Sequence, residues 1–477
     1  MDRSLLEKKQ LAELREIAST LDLRGYHRMK KADLVDLIMD AGGATNGTGN
    51  GGGSRGAETD TETDTDADTA SEDRDGGDDG SSRSRGDGAN DDASNDDRGG
   101  RNRNKQRRRK GRDGTKDQDL EGAEVREGVL DLLPEGYGFL RTTGYLSGSR
   151  DVYVSQSYVR RFHLRRGDLV RGPIRSNNRG NDKFPALARV DAIEGLEVDD
   201  HLDEDRPDFD ELTPVHPTAR LALGGDDAPM VLQAIDRLVP LGRGQRGLVV
   251  SPPRAGRTTL LREVARAVEA ADADVEVMVL LVDERPEEVT DFERAIDGEV
   301  VSSTFDRPAE DHTAVAELAL ERAKRLVERG RDVVVLVDSL TRLARAYNLA
   351  SSGSGRTLAG GLDAGALYPV KRFLGAARNV DGDGSLTMLA TVLTETGAAL
   401  DEVVLDELAG TANSTLRLHR LADPAPVFPA FDVAASLTIR DEDLLDADDL
   451  EAARKLRTEL VDRDVADAMA TLADRLS

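Results

Sequence analysis

The segment Gly247-Leu-Val-Val-Ser-Pro-Pro-Arg-Ala-Gly-Arg-Thr-Thr-Leu-Leu-Arg-Glu-Val-Ala265 changes its period in the middle. Gly247–Val250 is a short apolar run that suits a buried strand, and Thr259–Ala265 carries apolar residues at helical spacing. Ser251–Thr258 therefore stands where a phosphate loop, G-x-x-x-x-G-K-[ST], belongs between strand and helix. Gly256 and Thr258 fit that pattern, while Ser251 replaces the first Gly and Arg257 replaces the Lys. The position is favourable where the letters fail, because backbone N–H groups at a helix N-terminus attract phosphate.

Downstream, the same alternation recurs. Val275–Val282 precedes a helical stretch near Glu287, Val333–Val337 precedes another at Thr341–Tyr347, and Leu386–Val392 is a further buried run. Residues 200–477 thus read as an α/β unit with a parallel sheet. Two carboxylates close its strands. Asp338 is placed to hold Mg²⁺ through water, and Glu284 to orient an attacking water. Either alone is an ordinary strand-end acid; the phosphate loop and both acids in this order point to nucleotide chemistry.

Upstream, residues 123–195 hold five short β-type runs: Gly128–Leu133, Tyr137–Arg141, Asp151–Val154, Asp168–Arg175 and Ala186–Val190. Turn signals at Pro134-Glu-Gly136, Ser147-Gly-Ser149 and Asn177–Gly180 separate them, as in a small closed barrel. Alternation puts Tyr137 and Phe139 on one strand face, where Tyr153 can join them. Aromatic rings stack on nucleic-acid bases of any sequence. Arg141, Arg160, Arg161, Arg165, Arg166, Arg171 and Arg175 crowd around them and suit phosphates. The bland alternative is three rings filling a barrel core; an aromatic between two glycines speaks against it.

Residues 1–42 read as a small helical unit with a basic loop at Arg24–Lys31, either a solvated face or an accessory nucleic-acid contact. Residues 44–118 carry no aromatic residue and too little apolar surface to offset chain entropy, so disorder is expected there. That segment is acidic over Thr59–Asp97 and basic over Arg98–Arg112. Its basic half suits RNA contact, the alternative being a linker whose halves neutralise one another.

The 477 residues suit two to four domains. Absent Cys excludes disulfides and thiolate metal sites, and no 18-residue apolar run or signal-peptide pattern is present, so no membrane association and a cytoplasmic location are expected. The net charge of −27 argues against nucleic-acid binding only if spread evenly, which it is not. Basic residues are 54 Arg and 11 Lys, so Arg stands where Lys is usual.

Four strings carry a resemblance: Gly136-Tyr-Gly-Phe-Leu-Arg141, Asp283-Glu-Arg-Pro-Glu-Glu-Val289, Asp338-Ser-Leu-Thr-Arg-Leu-Ala-Arg-Ala-Tyr-Asn348 and Lys371-Arg-Phe-Leu-Gly-Ala-Ala-Arg-Asn379. Over residues 1–42 and 123–477 the chain resembles the Rho family of bacterial transcription termination factors, hexameric RNA-dependent ATPases that translocate on RNA. The resemblance implies an N-terminal helical domain (1–43), a low-complexity insertion (44–118), an OB/cold-shock-like barrel (119–196) and a RecA-like α/β P-loop ATPase domain with central RNA loops (197–477).

The same resemblance assigns roles. Tyr137, Phe139, Arg141, Asp151, Tyr153, Lys183 and Phe184 match the primary RNA site. Arg254, Ala255, Gly256, Arg257, Thr258 and Thr259 match the phosphate loop, with Arg285 and the adenine-stacking Phe428 beside it. Glu284 matches the catalytic carboxylate, Asp338 the Mg²⁺ carboxylate acting with Thr258, and Arg440 an arginine finger reaching a neighbouring subunit. Leu349–Gly361, with Arg356 and Thr357, and Glu395–Leu400 match the two central RNA loops. The implied cofactors are ATP and Mg²⁺; the implied partners are pyrimidine-rich nascent RNA, RNA polymerase and further copies of the chain in a hexamer.

Three positions depart from the family pattern: Arg257 for the phosphate-loop Lys, Arg356 for a Lys in the first central loop, and Ala399 for a Lys in the second. Arg is a wide planar fork and Lys a slim point charge, so the first change bears on turnover. One rival is therefore a Rho-like ring that binds RNA and nucleotide with impaired hydrolysis. The other is a rotary ATP synthase subunit, against which the aromatic barrel argues.

Overall fold

The computed structural model describes Val35 and residues 122–175, 184–225, 228–351, 353–421 and 426–476. The helical unit expected at 1–42, Val35 apart, the insertion at 44–118 and Lys183 lie outside the described residues. From residue 122 onward the described chain belongs to one compact unit.

Its first part is the expected barrel. Strands β1 (Val125–Leu132), β2 (Gly138–Arg141), β3 (Val152–Val154), β4 (Leu169–Arg175) and β5 (Ala186–Leu187) close in the order β1-β2-β3-β5-β4, and β4 pairs back onto β1. Helix α1 (Gln156–Arg161) sits between β3 and β4, with Ser155 capping its N-terminus. Two short strands not apparent in the sequence, β6 (Ala192–Ile193) and β7 (Leu196–Glu197), extend the sheet before α2 (Val198–Asp203). Leu130, Leu140, Val152, Val154, Val170 and Ile193 fill the interior. These residues alternate with outward neighbours, as the strand period of two requires.

The second part is a larger, nine-stranded sheet. After β8 (Pro214–Val215) and α3 (Met230–Leu238), β9 (Arg246–Ser251) leads into α4 (Arg257–Ala271), β10 (Glu276–Glu284) into α5 (Pro286–Ala295), and β11 (Glu299–Thr304) into α6 (Ala309–Val327). Then β12 (Asp332–Asp338) leads into α7 (Leu340–Ala350), α8 (Ala364–Gly375) and β13 (Arg378–Val380). Strand β14 (Ser385–Leu393) leads into α9 (Ala399–Ala409), and β15 (Ser414–Leu418), β16 (Phe431–Thr438), α10 (Ala447–Leu460) and α11 (Val465–Leu476) complete the chain. The main path runs β11-β10-β12-β14-β9-β15-β16; neighbours from β11 to β15 are parallel, and β16 is antiparallel to β15.

Helices cover both faces of this sheet, so the central strands read as continuous apolar runs; every residue of β14 is buried. Val279, Leu281 and Leu336 face the core under α3, α4 and α11, while Leu280, Val282, Val335 and Val337 face the core under α6, α7 and α8. Each such side chain contributes about 1.5–3 kcal/mol on burial. Among the described residues no helix is long and apolar enough to cross a membrane.

Helix α6 also seats the barrel. Arg322 Nη1 donates to both carboxylate oxygens of Glu194 at 2.6 Å, and Glu194 accepts from Leu169 N at 2.7 Å. Just past the helix, buried Glu328 accepts from Arg165 at 2.9 Å, Arg206 at 3.0 Å and Phe209 N at 2.9 Å. Tyr145 donates to Glu299 at 3.0 Å.

Candidate nucleotide and RNA sites

In an open parallel sheet ligands bind beyond the carboxyl ends of the strands. Here the ends of β9, β10 and β12 supply the loop 252–256, Glu284 and Asp338. The loop turns through Arg254 and Gly256, both with positive φ (64° and 93°). Gly256 is needed for space as well: a β-carbon there would lie 2.7 Å from Pro429 Cγ and 2.9 Å from Phe428 Cζ. Phe428 is 58% exposed, with the tip of its ring against the loop.

Asp338 is fully buried and organises the centre. It accepts from Arg257 Nε at 2.9 and 3.2 Å, from Thr258 Oγ1 at 3.1 Å and from Thr391 Oγ1 at 3.0 Å. Arg257 Nη2 lies 3.6 Å from Glu284 Oε2, so one guanidinium spans both carboxylates. Glu284 also pairs with Arg342, which donates to Asp283 O at 2.6 Å. Burial, and then the charge of Asp338, push the Glu284 carboxyl above its ordinary range, against the pull of Arg342 and Arg257. Ala255 is buried, Thr259 lies in the first turn of α4, and Arg254 and Arg285 are exposed at the rim.

Thr258 and Asp338 offer the hard oxygen donors that suit Mg²⁺, which normally keeps waters and nucleotide phosphates in its remaining positions. Among the described residues no cluster of three or more His, Asp or Glu could hold a metal by itself. Arg440 pairs with Asp443 at 2.9 Å within its own chain.

Arg342 and Thr391 went unassigned in the sequence. Arg342 follows Asp338 by four residues, which brings it back over the strand end through one helical turn; that spacing was the available signal. Thr391 lies in a uniformly buried strand, and its neighbour Asp338 is found only through the β12–β14 pairing.

On the barrel, the rings form one outer cluster. Tyr137 lies 6.1 Å from Phe139 and 5.6 Å from Tyr153; Phe139 lies 5.9 Å from Tyr153 and 5.2 Å from Phe184, between ring centroids. Phe139 and Tyr153 are cross-strand partners, while Tyr137 stands just before β2 rather than within it. None of the four is in the barrel's core, which is aliphatic apart from Phe162. The core-filling alternative therefore fails.

The crowd of arginines needs correction. Arg141 is held by Asp131 at 2.6 Å and by buried Asp151, Arg165 by Glu328, and Arg166 by Asp131 at 3.0 Å. These three already face carboxylates of the fold, whereas Arg160, Arg161, Arg171 and Arg175 are exposed. Asp131, which divides its oxygens between Arg141 and Arg166, was missed because its role depends on strand pairing.

The two central loops meet. A β-carbon on Gly360 (φ 73°) would collide with the backbone of Leu400. Arg356 and Thr357 are exposed beside this contact. The second loop begins where Thr394 N donates to Ser251 O at 3.1 Å, at the root of the phosphate loop.

The family model of the Rho termination factor RNA-binding domain matches residues 126–199, that of the Rho termination factor N-terminal domain residues 5–44, and that of the nucleotide-binding domain of the ATP synthase alpha/beta family residues 232–438. Transcription termination factor Rho of Streptomyces lividans is 51% identical over 351 residues, covering 73% of this chain and 49% of that protein. The Mycobacterium leprae protein of the same name is 50% identical over 392 residues, covering 80% of this chain and 63% of its own length. That of Haemophilus influenzae is 47% identical over 361 residues, covering 73% and 84%. The chain thus spans about half to two thirds of the first two relatives and most of the third. Neither the non-hydrolysing ring nor the rotary subunit is favoured by these relatives. An RNA-binding barrel, a nucleotide-binding α/β domain and this identity over most of a relative's length make the chain a member of the transcription termination factor Rho family.

Proposed function

We propose that the chain is an RNA-stimulated ATPase that works as a ring of six copies, translocates along nascent pyrimidine-rich RNA in the cytoplasm and releases transcripts from RNA polymerase. The observation that carries this reading is the root of the second central loop on Ser251, which joins an RNA-facing loop directly to the phosphate loop. Events at the nucleotide therefore reach the loops through one hydrogen-bonded strand end.

In this reading bases stack on Tyr137, Phe139, Tyr153 and Phe184, while Arg141 and Asp151 present fixed polar groups at the edge of that cluster and Lys183 adds charge. Arg254, Ala255, Gly256, Arg257, Thr258 and Thr259 cradle the phosphates, Arg285 flanks them, and Phe428 stacks on adenine. Thr258 and Asp338 would hold Mg²⁺, which when bound neutralises phosphate charge. Glu284 takes a proton from water as the water oxygen bonds to the γ-phosphorus, and the bond to the β-phosphate oxygen breaks to release ADP. Arg257 stabilises that charge within the chain, and Arg440 stabilises it on the nucleotide of the neighbouring copy. Arg356 and Thr357 grip RNA at the ring centre. The domain bounds 1–43, 44–118, 119–196 and 197–477 belong to the same proposal.

Phosphate release with and without poly-pyrimidine RNA tests the reading, on this chain and on Arg257→Lys. RNA-stimulated release by the natural chain is expected, with Arg257→Lys within about tenfold, a ratio equivalent to ~1.4 kcal/mol. Tight binding of ATP and RNA without release, restored by Arg257→Lys, would overturn it in favour of a binding ring.

A further inference from the structure

We propose that Glu317 and Tyr347 couple the aromatic face of the barrel to the first central loop, so that RNA on the barrel raises the affinity of the nucleotide site. The proposal rests on the functional reading above and adds to it a route and two residues.

A continuous run of polar contacts carries it. The Arg141 guanidinium lies 5.7 Å from the Phe139 ring centroid and donates to Asp131 Oδ2 at 2.6 Å. The other oxygen of Asp131 accepts from Arg166 Nε at 3.0 Å. Arg166 Nη1 lies 3.6 Å from Glu317 Oε2 on α6, and Glu317 Oε1 accepts the Tyr347 hydroxyl at 3.1 Å. Tyr347 is in the last turn of α7. Its neighbour Asn348 accepts from Asp363 N at 2.7 Å and donates to Gly361 O at 3.4 Å, so this turn holds the far end of the loop 351–361. The other end of α7 is capped by Ser339, directly after Asp338. One helix thus joins the loop to the carboxylate that holds Arg257 and Thr258.

Asp131 makes this run more than a brace, because it is shared. A base or phosphate that draws on Arg141 takes a cation from Asp131 and leaves that carboxylate to Arg166. Arg166 turns toward Asp131 and away from Glu317, already its longest contact, and Glu317 is left to Tyr347. The last turn of α7 is then held more firmly, and part of the ordering that the nucleotide site and loop require is already in place. Seating of the barrel does not depend on this run, since Arg322–Glu194 and the Glu328 cluster hold it separately. Removing one hydroxyl at Tyr347 therefore leaves the docked arrangement standing.

Coupling of binding is reciprocal and needs no turnover to be measured. The experiment is the affinity of the full chain for a fluorescent oligocytidine, with and without Mg²⁺ and a non-hydrolysable ATP analogue. The Tyr137→Ala, Phe139→Ala chain gives the baseline for RNA bound elsewhere. The natural chain is expected to bind the oligocytidine about fivefold or more tighter with the analogue, the low end of ordinary couplings. Tyr347→Phe and Glu317→Gln should each bring that factor close to one, with affinity for either ligand alone unchanged, and the double variant should do no more than either. A natural factor retained in Tyr347→Phe, or lost Tm with unaltered coupling, would mean a brace and overturn the proposal, as would two ligands binding the natural chain independently. Failure of the natural chain to bind either ligand would instead overturn the functional reading, and the coupling with it.

Discussion

On the barrel, Tyr137, Phe139, Tyr153 and Phe184 stand outside a core built from Leu130, Leu140, Val152 and Val154, whereas Arg257, Thr258, Glu284 and Asp338 are packed against one another beneath the phosphate loop. The first arrangement separates the ring face from the folding core: the rings can change without opening the interior. The second merges site and core, since Asp338 is fully buried and each partner it loses leaves a charged group without compensation. The two regions differ also in completeness. The ring cluster is assembled within one chain, while Arg440 is engaged with Asp443 rather than with its own phosphate loop.

Completeness gives the largest predicted effect. If Arg440 serves the neighbouring copy, Arg440→Ala lowers turnover by about 10³–10⁵-fold with ATP binding retained. Mixing it with Glu284→Gln should restore some phosphate release where neither alone has any, because a ring holding both can assemble an intact site. Full turnover by Arg440→Ala alone would show the nucleotide site to be as self-contained as the barrel's.

Separation of ring face from core is tested by a pair of variants. Tyr137→Ala with Phe139→Ala should cost roughly 2–6 kcal/mol of RNA binding and leave Tm within a few degrees, given about 1–3 kcal/mol per stacked base. Leu140→Ala, one residue along the same strand but facing inward, should cost about 2–5 kcal/mol of stability. A large Tm loss in the aromatic double variant would erase the contrast.

The smallest effect concerns protons. Because Glu284 is pushed above the ordinary carboxylate range, it becomes an available base only at a correspondingly higher pH, and turnover should rise through that range. Its contribution to stability runs the other way, falling as pH climbs from the ordinary carboxylate value through the raised one. Arg342→Gln removes the first of the influences holding the value down, so the acidic limb of the kcat–pH profile should move to higher pH. A limb that stays in place or moves down would separate Glu284 from that limb.

Local signals were strong where a residue acts through its own strand or turn. The barrel strands, the phosphate loop and the strand-end acids Glu284 and Asp338 were all legible, because period-two alternation and an apolar run ending in an acid are written in adjacent residues. Residues 44–118 gave an equally clear compositional signal, but they lie outside the described structure. The short strands β6 and β7 were illegible because two residues carry no period. The carboxylate partners of Arg141, Arg165 and Arg166 were illegible for a related reason: composition counts cations, and only the fold shows which of them already face a carboxylate.

The fold class, the order of barrel and α/β domain, the ring-bearing strand and the strand-end positions of Glu284 and Asp338 were therefore readable from sequence alone, since all of these rest on interactions between near neighbours in the chain. Tertiary structure alone brought Arg257 across to both Asp338 and Glu284, placed Thr391 on Asp338 and Phe428 over Gly256, and split Asp131 between two arginines. Those partners are separated by ten to more than a hundred and fifty residues. Their meeting depends on strand order and helix packing, which bury the charges together and so make each one's partner a property of the whole sheet rather than of any segment.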